Sequence, residues 1–266
     1  MIYPIGIQTF NQIIERGFVY VDKTDMVYSL ATEGKIYFLS RPRRFGKSLL
    51  LSTLRAYFEG KKELFAGLKI DALEHDWHVH RVFHFDFNGV DFTMPGALHL
   101  KIEGYLYDWE KEFGISTGVD TNLGSRFNRI LQAAAEQTGR GAVVLVDEYD
   151  KPLLDVLEKE PELLEQNREI LKAFYSVFKL ADASLRFVFL TGVTKFSQVS
   201  VFSGFNNPRT SVCSINTRLY AVSRKKNCIP GLQSLSGKWR HRRAARKRKC
   251  VSGSSGITTV ITSVKG

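Results

Sequence analysis

The apolar stretch Lys35-Ile36-Tyr37-Phe38-Leu39-Ser40 runs directly into Arg41-Pro42-Arg43-Arg44-Phe45-Gly46-Lys47-Ser48, and that turn opens the helical pattern Leu49-Leu50-Leu51-Ser52-Thr53-Leu54. This strand–turn–helix order constrains the chain more than any other feature. A helix N-terminus presents N–H groups that have no acceptor within the helix, together with the positive end of the helix dipole, so a turn leading into it is a ready anion site. In that turn Lys47 is placed for the β- and γ-phosphates of a nucleotide, Ser48 for a magnesium ion, and Gly46 for close backbone approach. The standard pattern has a glycine five positions before Gly46, and Arg41 stands there instead. Arg41, Arg43 and Arg44 put three cations beside the turn, and Arg43, Arg44, Phe45 and Leu49 complete the expected nucleotide contacts.

Three further segments read as strands. Arg81-Val82-Phe83-His84-Phe85-Asp86-Phe87 alternates aromatic and polar residues with a period of two. Ala142-Val143-Val144-Leu145-Val146 and Leu185-Arg186-Phe187-Val188-Phe189-Leu190 are nearly continuous apolar runs, as expected of strands covered on both faces, and belong at the centre of a sheet. Helical patterns lie between them, at about 47–59, 97–112, 122–137 and 161–180. Alternating strands and helices predict an α/β fold with a mainly parallel sheet flanked by helices.

The buried strand ending at Val146 is followed by Asp147, Glu148, Tyr149 and Asp150, about 100 residues after Lys47. Magnesium takes few carboxylates and keeps waters and phosphate oxygens, so one aspartate at such a strand end suffices, and Asp147 is the candidate. A carboxylate one residue further on, Glu148, can orient or deprotonate the attacking water. That separates a hydrolase from a small-molecule kinase, which has no need of a water-activating acid. Asp150 reads as an acid marking where the strand reaches solvent. At the third strand end, Leu190-Thr191-Gly192-Val193-Thr194-Lys195, Thr191 is the candidate sensor of the γ-phosphate, with Thr194 behind it; an ordinary Thr-Gly turn accounts for this segment equally well.

Charge divides the chain. After residue 207 lie 14 of the 38 basic residues and none of the 27 acids, which leaves 24 bases against 27 acids, a net of −3, in residues 1–207. Apolar periodicity fades there too, and Lys238 through Lys249 form a basic run. The three cysteines, Cys213, Cys228 and Cys250, match neither a zinc site nor a redox pair. His75, His78, His80 and His84 have no cysteine near them and read as core or surface residues rather than a zinc site. No run reaches the roughly 20 apolar residues of a membrane span, and the N-terminus lacks a signal-peptide layout, so a cytoplasmic protein is expected.

Tyr20-Val21-Asp22-Lys23-Thr24, the segment Phe38 to Leu49, Tyr57-Phe58-Glu59-Gly60, Leu145-Val146-Asp147-Glu148-Tyr149-Asp150-Lys151-Pro152 and Thr191-Gly192-Val193-Thr194-Lys195-Phe196 together resemble the AAA-ATPase-like proteins of bacteria and archaea. The resemblance covers nearly all of residues 1–207 and implies a P-loop NTPase fold, ATP binding and hydrolysis with Mg²⁺. It also implies that arginine in place of the first glycine is normal. Asp22 and Lys23 match a motif for which helix capping or packing is the expected role. Such proteins usually continue with a helical section, a Tyr-Asp-Gly-Tyr-x-Phe signature and a nuclease-like domain of PD-(D/E)xK type, none of which follows here. Two units are therefore expected, an ATPase-like domain over 1–207 and a basic tail over 208–266. An out-of-frame continuation would account for the tail's composition.

Three functions compete on the sequence. The first is an ATP-hydrolysing domain with Glu148 as base, Lys47 on phosphate, and Ser48 and Asp147 on the metal. In it, Arg43 or Arg44 contacts phosphate or reaches across subunits of a homo-oligomer. The second is nucleic-acid binding through the tail, whose cations would bind a polyanion in a salt-dependent way but which has few aromatics, Trp239 and Tyr220, for stacking. The third is a nucleotide-binding switch without turnover.

Overall fold

A computed structural model describes residues 2–116 and 121–194, together with the backbone of 209–210. All of these fall in the first of the two units into which the chain divides, Met1–Val222. The basic run, the three cysteines and Lys195-Phe196 lie outside the described residues.

Two short helices, α1 (Phe10–Glu15) and α2 (Thr24–Glu33), precede the first strand, β1 (Ile36–Ser40), and helix α3 (Lys47–Phe58) follows it. Strand β2 (Val82–Asp86), helices α4 (Ala97–Glu112) and α5 (Leu123–Thr138), and strand β3 (Ala142–Asp147) come next. The chain continues through α6 (Lys151–Leu154), α7 (Pro161–Tyr175), α8 (Val177–Leu180) and β4 (Leu185–Gly192). A two-residue strand, β5 (Arg209–Thr210), lies along β1. Every pairing is parallel, in the order β2-β3-β4-β1-β5, so the architecture is the α/β sheet flanked by helices that the sequence pattern predicts.

Successive side chains of a strand point to opposite faces, and here they fill two cores. Val144 and Val146 of β3, Val188 and Leu190 of β4 and Phe38 of β1 pack under α4, α5 and α7. Val143, Leu145, Phe187, Phe189, Tyr37 and Leu39 pack under α1, α2 and α3. With apolar residues required on both faces, β3 and β4 show no alternation, and they are the central strands. The partly exposed Val82, His84 and Asp86 of β2 alternate with buried Phe83 and Phe85, as befits an edge strand.

The four strands expected from the sequence are all present. The helix expected over 161–180 is divided at Ser176, whose hydroxyl donates back to Ala173 O at 2.6 Å, a side-chain bond that competes with the helical ladder. Helices α1 and α2 were not evident from periodicity, the first being only six residues long. Asp22 ties α2 down: Oδ1 accepts from the Thr24 amide and hydroxyl, Oδ2 accepts from Lys69 N, and the Thr24 hydroxyl accepts from Ile70 N. That is a capping and packing role.

Helices α4 and α5 are joined by a buried charge pair. Arg126 donates Nε to Glu110 Oε1 at 2.8 Å and Nη2 to Oε2 at 2.7 Å, and Glu110 is fully buried. The bidentate pair satisfies the carboxylate, and without Glu110 the buried Arg126 keeps only its 3.3 Å contact with the partly exposed Glu103. Glu110→Ala is expected to lower stability by about 3–5 kcal/mol in urea unfolding; a loss below about 1 kcal/mol would show that Arg126 finds water instead.

Candidate functional site

Because all strands run parallel, the segments that follow β1, β3 and β4 emerge at one edge of the sheet, the usual place for a ligand in an open α/β sheet. The register aligns them. Leu39 is level with Thr191 and Val146 with Leu190, so Asp147, Thr191 and the end of β1 stand side by side. Strand β4 lies between β1 and β3, and so Thr191 sits between the glycine-lysine-serine turn and the acidic strand end.

Gly46 precedes α3 in the left-handed region, φ 77°, and Arg44 is also left-handed, φ 67°. Glycine adopts that conformation without the penalty a side chain imposes. Among the described residues no side chain caps the N-terminus of this 12-residue helix, and no acid lies in its first turn. Its first N–H groups are therefore left for an anion.

Lys47 is buried, with 4% of its side chain exposed. Its ammonium lies 3.2 Å from Glu148 Oε1 and donates to Arg41 O at 3.1 Å. The Ser48 hydroxyl donates to Asp147 Oδ2 at 2.7 Å, and the buried Thr191 hydroxyl donates to Asp147 Oδ1 at 2.6 Å. Asp147 is thus fixed from both sides. Glu148 has φ 55°, a conformation uncommon for a residue with a side chain and frequent at functional turns. Burial raises its carboxyl above the ordinary value, the Lys47 ammonium opposes that shift, and the neighbouring Asp147 and Asp150 add to it.

The structure therefore brings together Gly46, Lys47, Ser48, Asp147, Glu148 and Thr191. Arg43, Arg44 and Phe45 project from the turn and are exposed, and Leu49 is half-buried against the core beneath α3. Arg41 is half-buried, and its Nη2 has no hydrogen-bond partner among the described residues. A hydroxyl and a carboxylate oxygen 2.7 Å apart are within a few tenths of an ångström of the spacing of about 3.0 Å between adjacent ligands of an octahedral ion with bonds of about 2.1 Å. Ser48 and Asp147 could hold a magnesium ion whose other ligands are waters and phosphate oxygens. Among the described residues no group of three or more His, Cys, Asp or Glu is arranged to hold a metal, and His80 Nδ1 lies 2.8 Å from Gly141 O.

Asp150 corrects a sequence expectation. It does not mark the exit to solvent: it is 1% exposed, and its Oδ2 accepts from Val193 N at 2.9 Å and from the amide and hydroxyl of Thr194, each at 2.5 Å. Tyr149 was likewise unassigned, yet its amide donates to Thr191 O at 2.8 Å and its hydroxyl to Thr194 O at 2.9 Å. The one available signal was the density of polar residues in Asp147–Asp150 and Thr191–Thr194 directly after apolar runs.

Over residues 4–202 the chain matches the family described as predicted AAA-ATPase. It belongs to the AAA-ATPase-like family. The resemblance read from its motifs is therefore borne out, and membership points to nucleotide binding. The chain is also 46% identical over 206 residues to a protein of Azotobacter chroococcum mcd 1 described as "Uncharacterized protein in vnfD 5'region". That match takes in 77% of this chain and 39% of the relative, so the chain spans well under half of the relative's length. No solved structure matches. Among the described residues no helix of this ATPase-like chain is long and apolar enough to cross a membrane.

Gly192 is packed where a side chain does not fit. A Cβ there would lie 2.5 Å from Asp150 Oδ1 and 2.6 Å from Tyr149 Cε1. Gly192→Ala is expected to cost about 1–3 kcal/mol of stability in chemical denaturation, the usual range for overpacking; an unchanged midpoint would mean that the two strand ends part easily.

Proposed function

We propose that this chain binds ATP with Mg²⁺ at the common edge of β1, β3 and β4 and hydrolyses it. The observation that carries the reading is the Ser48–Asp147 contact of 2.7 Å beside the Lys47–Glu148 pair of 3.2 Å, which joins the helix-entry turn to the acidic strand end. Neither contact involves residues near in sequence.

Phosphate oxygens would be received by the first-turn N–H groups of α3 and by Lys47, which turns from Glu148 and the Arg41 carbonyl toward the anion. The unpartnered Nη2 of Arg41 supplies a further donor beside the turn. Ser48 and Asp147 would hold Mg²⁺, which when bound neutralises charge on the phosphates. Thr191 holds Asp147 in orientation. Released from Lys47, Glu148 accepts a proton from water aligned with the terminal phosphate. Lys47 would thus exchange one anionic partner for another on nucleotide binding, and the exchange couples Glu148's freedom to occupancy of the site. The exposed Arg43 and Arg44 are placed to contact phosphate or a neighbouring copy of the chain.

Turnover and binding separate the roles. Lys47→Ala is expected to abolish ATP binding in calorimetric titration, whereas Glu148→Gln should bind ATP and lose hydrolysis by about 10²–10⁴-fold, the usual contribution of a general base. Full turnover by Glu148→Gln would remove the base from Glu148. Tight binding with no turnover by the unaltered chain would favour a nucleotide switch.

The pH dependence follows from the burial of Glu148. A base works deprotonated, and its raised value means that activity is lost as pH falls through a point above the ordinary glutamate value of about 4.3. The acid limb of kcat/KM should lie above that value in the unaltered chain; a limb at or below it would show that Lys47 outweighs burial.

A further inference from the structure

Four residues, Thr191 to Thr194, touch both halves of the site. On one side the Gly192 carbonyl accepts from Arg41 N at 3.1 Å, and the Val193 carbonyl accepts from the Ser40 hydroxyl at 2.9 Å, so the segment is fastened to the start of the phosphate turn. On the other side Thr191 donates to Asp147 Oδ1, and Tyr149 reaches the segment through both its amide and its hydroxyl. What closes the segment is Asp150. Its buried Oδ2 takes two successive backbone N–H groups and the Thr194 hydroxyl, while Oδ1 has no hydrogen-bond partner among the described residues and is pressed against Gly192.

A carboxylate on two consecutive amides and a hydroxyl is a strong, charge-assisted clasp, and the carboxylate itself is buried. The segment it holds begins with Thr191, whose hydroxyl is on Asp147 Oδ1. We infer that Asp150 is a positioning residue for the metal-binding carboxylate: by holding Val193 and Thr194 it keeps the Thr191 hydroxyl on Asp147 Oδ1 and leaves Oδ2 aimed at Ser48. The inference rests on the ATP·Mg²⁺ reading of the site. Asp150 touches neither nucleotide nor metal. Its influence passes through Thr191.

The phosphate turn and the metal carboxylate are read separately by measuring ATP affinity without Mg²⁺ and the gain in affinity when Mg²⁺ is added. In Asp150→Ala the Mg²⁺-free affinity should stay within about 3-fold of the unaltered chain, and the gain from Mg²⁺ should fall about 10-fold, since that gain reports Asp147. Asp150→Asn keeps one acceptor oxygen for the two amides and should recover most of the gain. Thr191→Val should lower the gain as Asp150→Ala does, and the double variant should be no worse than the poorer single one, because residues acting through one contact are not additive. Thr194→Val, which removes only a hydroxyl, gives the same reading at smaller amplitude, about 3-fold, if Asp150→Ala does not fold.

An unchanged Mg²⁺ gain in folded Asp150→Ala or in Thr194→Val overturns the inference, and so do additive losses with Thr191→Val. An equal fall in affinity with and without Mg²⁺ also overturns it, because that marks a general loosening of the fold. An unaltered chain that binds no ATP under either condition refutes the ATP·Mg²⁺ reading, and the positioning role falls with it.

Discussion

The hydrogen bond from Ser48 to Asp147 spans the sheet edge between two segments 99 residues apart, and the arrangement of the site depends on it. Serine is the second residue of a helix whose start is set by Gly46, and aspartate is the last residue of a strand buried along its whole length. For their oxygens to meet, β1 and β3 must be held at a fixed spacing with β4 between them. The parallel register does this, and the two cores on either side of the sheet keep the register from slipping, since a one-residue shift would turn Val143 and Leu145 out of one core and into the other.

Lys47 is paired without ligand. Lys47 is nearly inaccessible to solvent, and an unpaired buried ammonium would be costly, so its contact with Glu148 and the Arg41 carbonyl stabilises the chain before nucleotide arrives. The same contact occupies Glu148 Oε1, an oxygen of the carboxylate that the proposed hydrolysis would need. On the proposed reading an anion would replace one partner of Lys47 with another, so the energetic demand on the protein would be an exchange of partners rather than the burial of a new charge. Asp147 is held through Thr191 and Ser48 in the same economical way, by neutral hydroxyls that do not compete for its charge.

Much of this was legible in the sequence, for reasons that differ from part to part. The strands β3 and β4 announced themselves because burial on both faces demands an apolar residue at every position, and α3 because a glycine-lysine-serine turn leads into a leucine stripe. Lys47, Ser48, Asp147 and Glu148, which the structure brings together, could be singled out because each sits at a strand end or helix start. Asp150 could not. A buried acid and an exposed one look the same in sequence, and its partners, the amides of Val193 and Thr194, carry no residue-type signature at all. The exclusion of a side chain at Gly192 likewise arises from packing between two strand ends distant in sequence. The division at Ser176 escaped because its apolar stripe continues across the break.

The central claim, that one nucleotide·Mg²⁺ site is built from the β1–α3 turn and the end of β3, is tested most directly by crystals of the chain grown with Mn²⁺ and a non-hydrolysable ATP analogue. The account predicts a single anomalous peak at the edge of β1, β3 and β4, within about 2.3 Å of Ser48 Oγ and Asp147 Oδ2, with the terminal phosphate against Lys47. A metal and nucleotide bound away from Ser48 and Asp147, or a Lys47 still paired with Glu148 beneath a bound triphosphate, would contradict it.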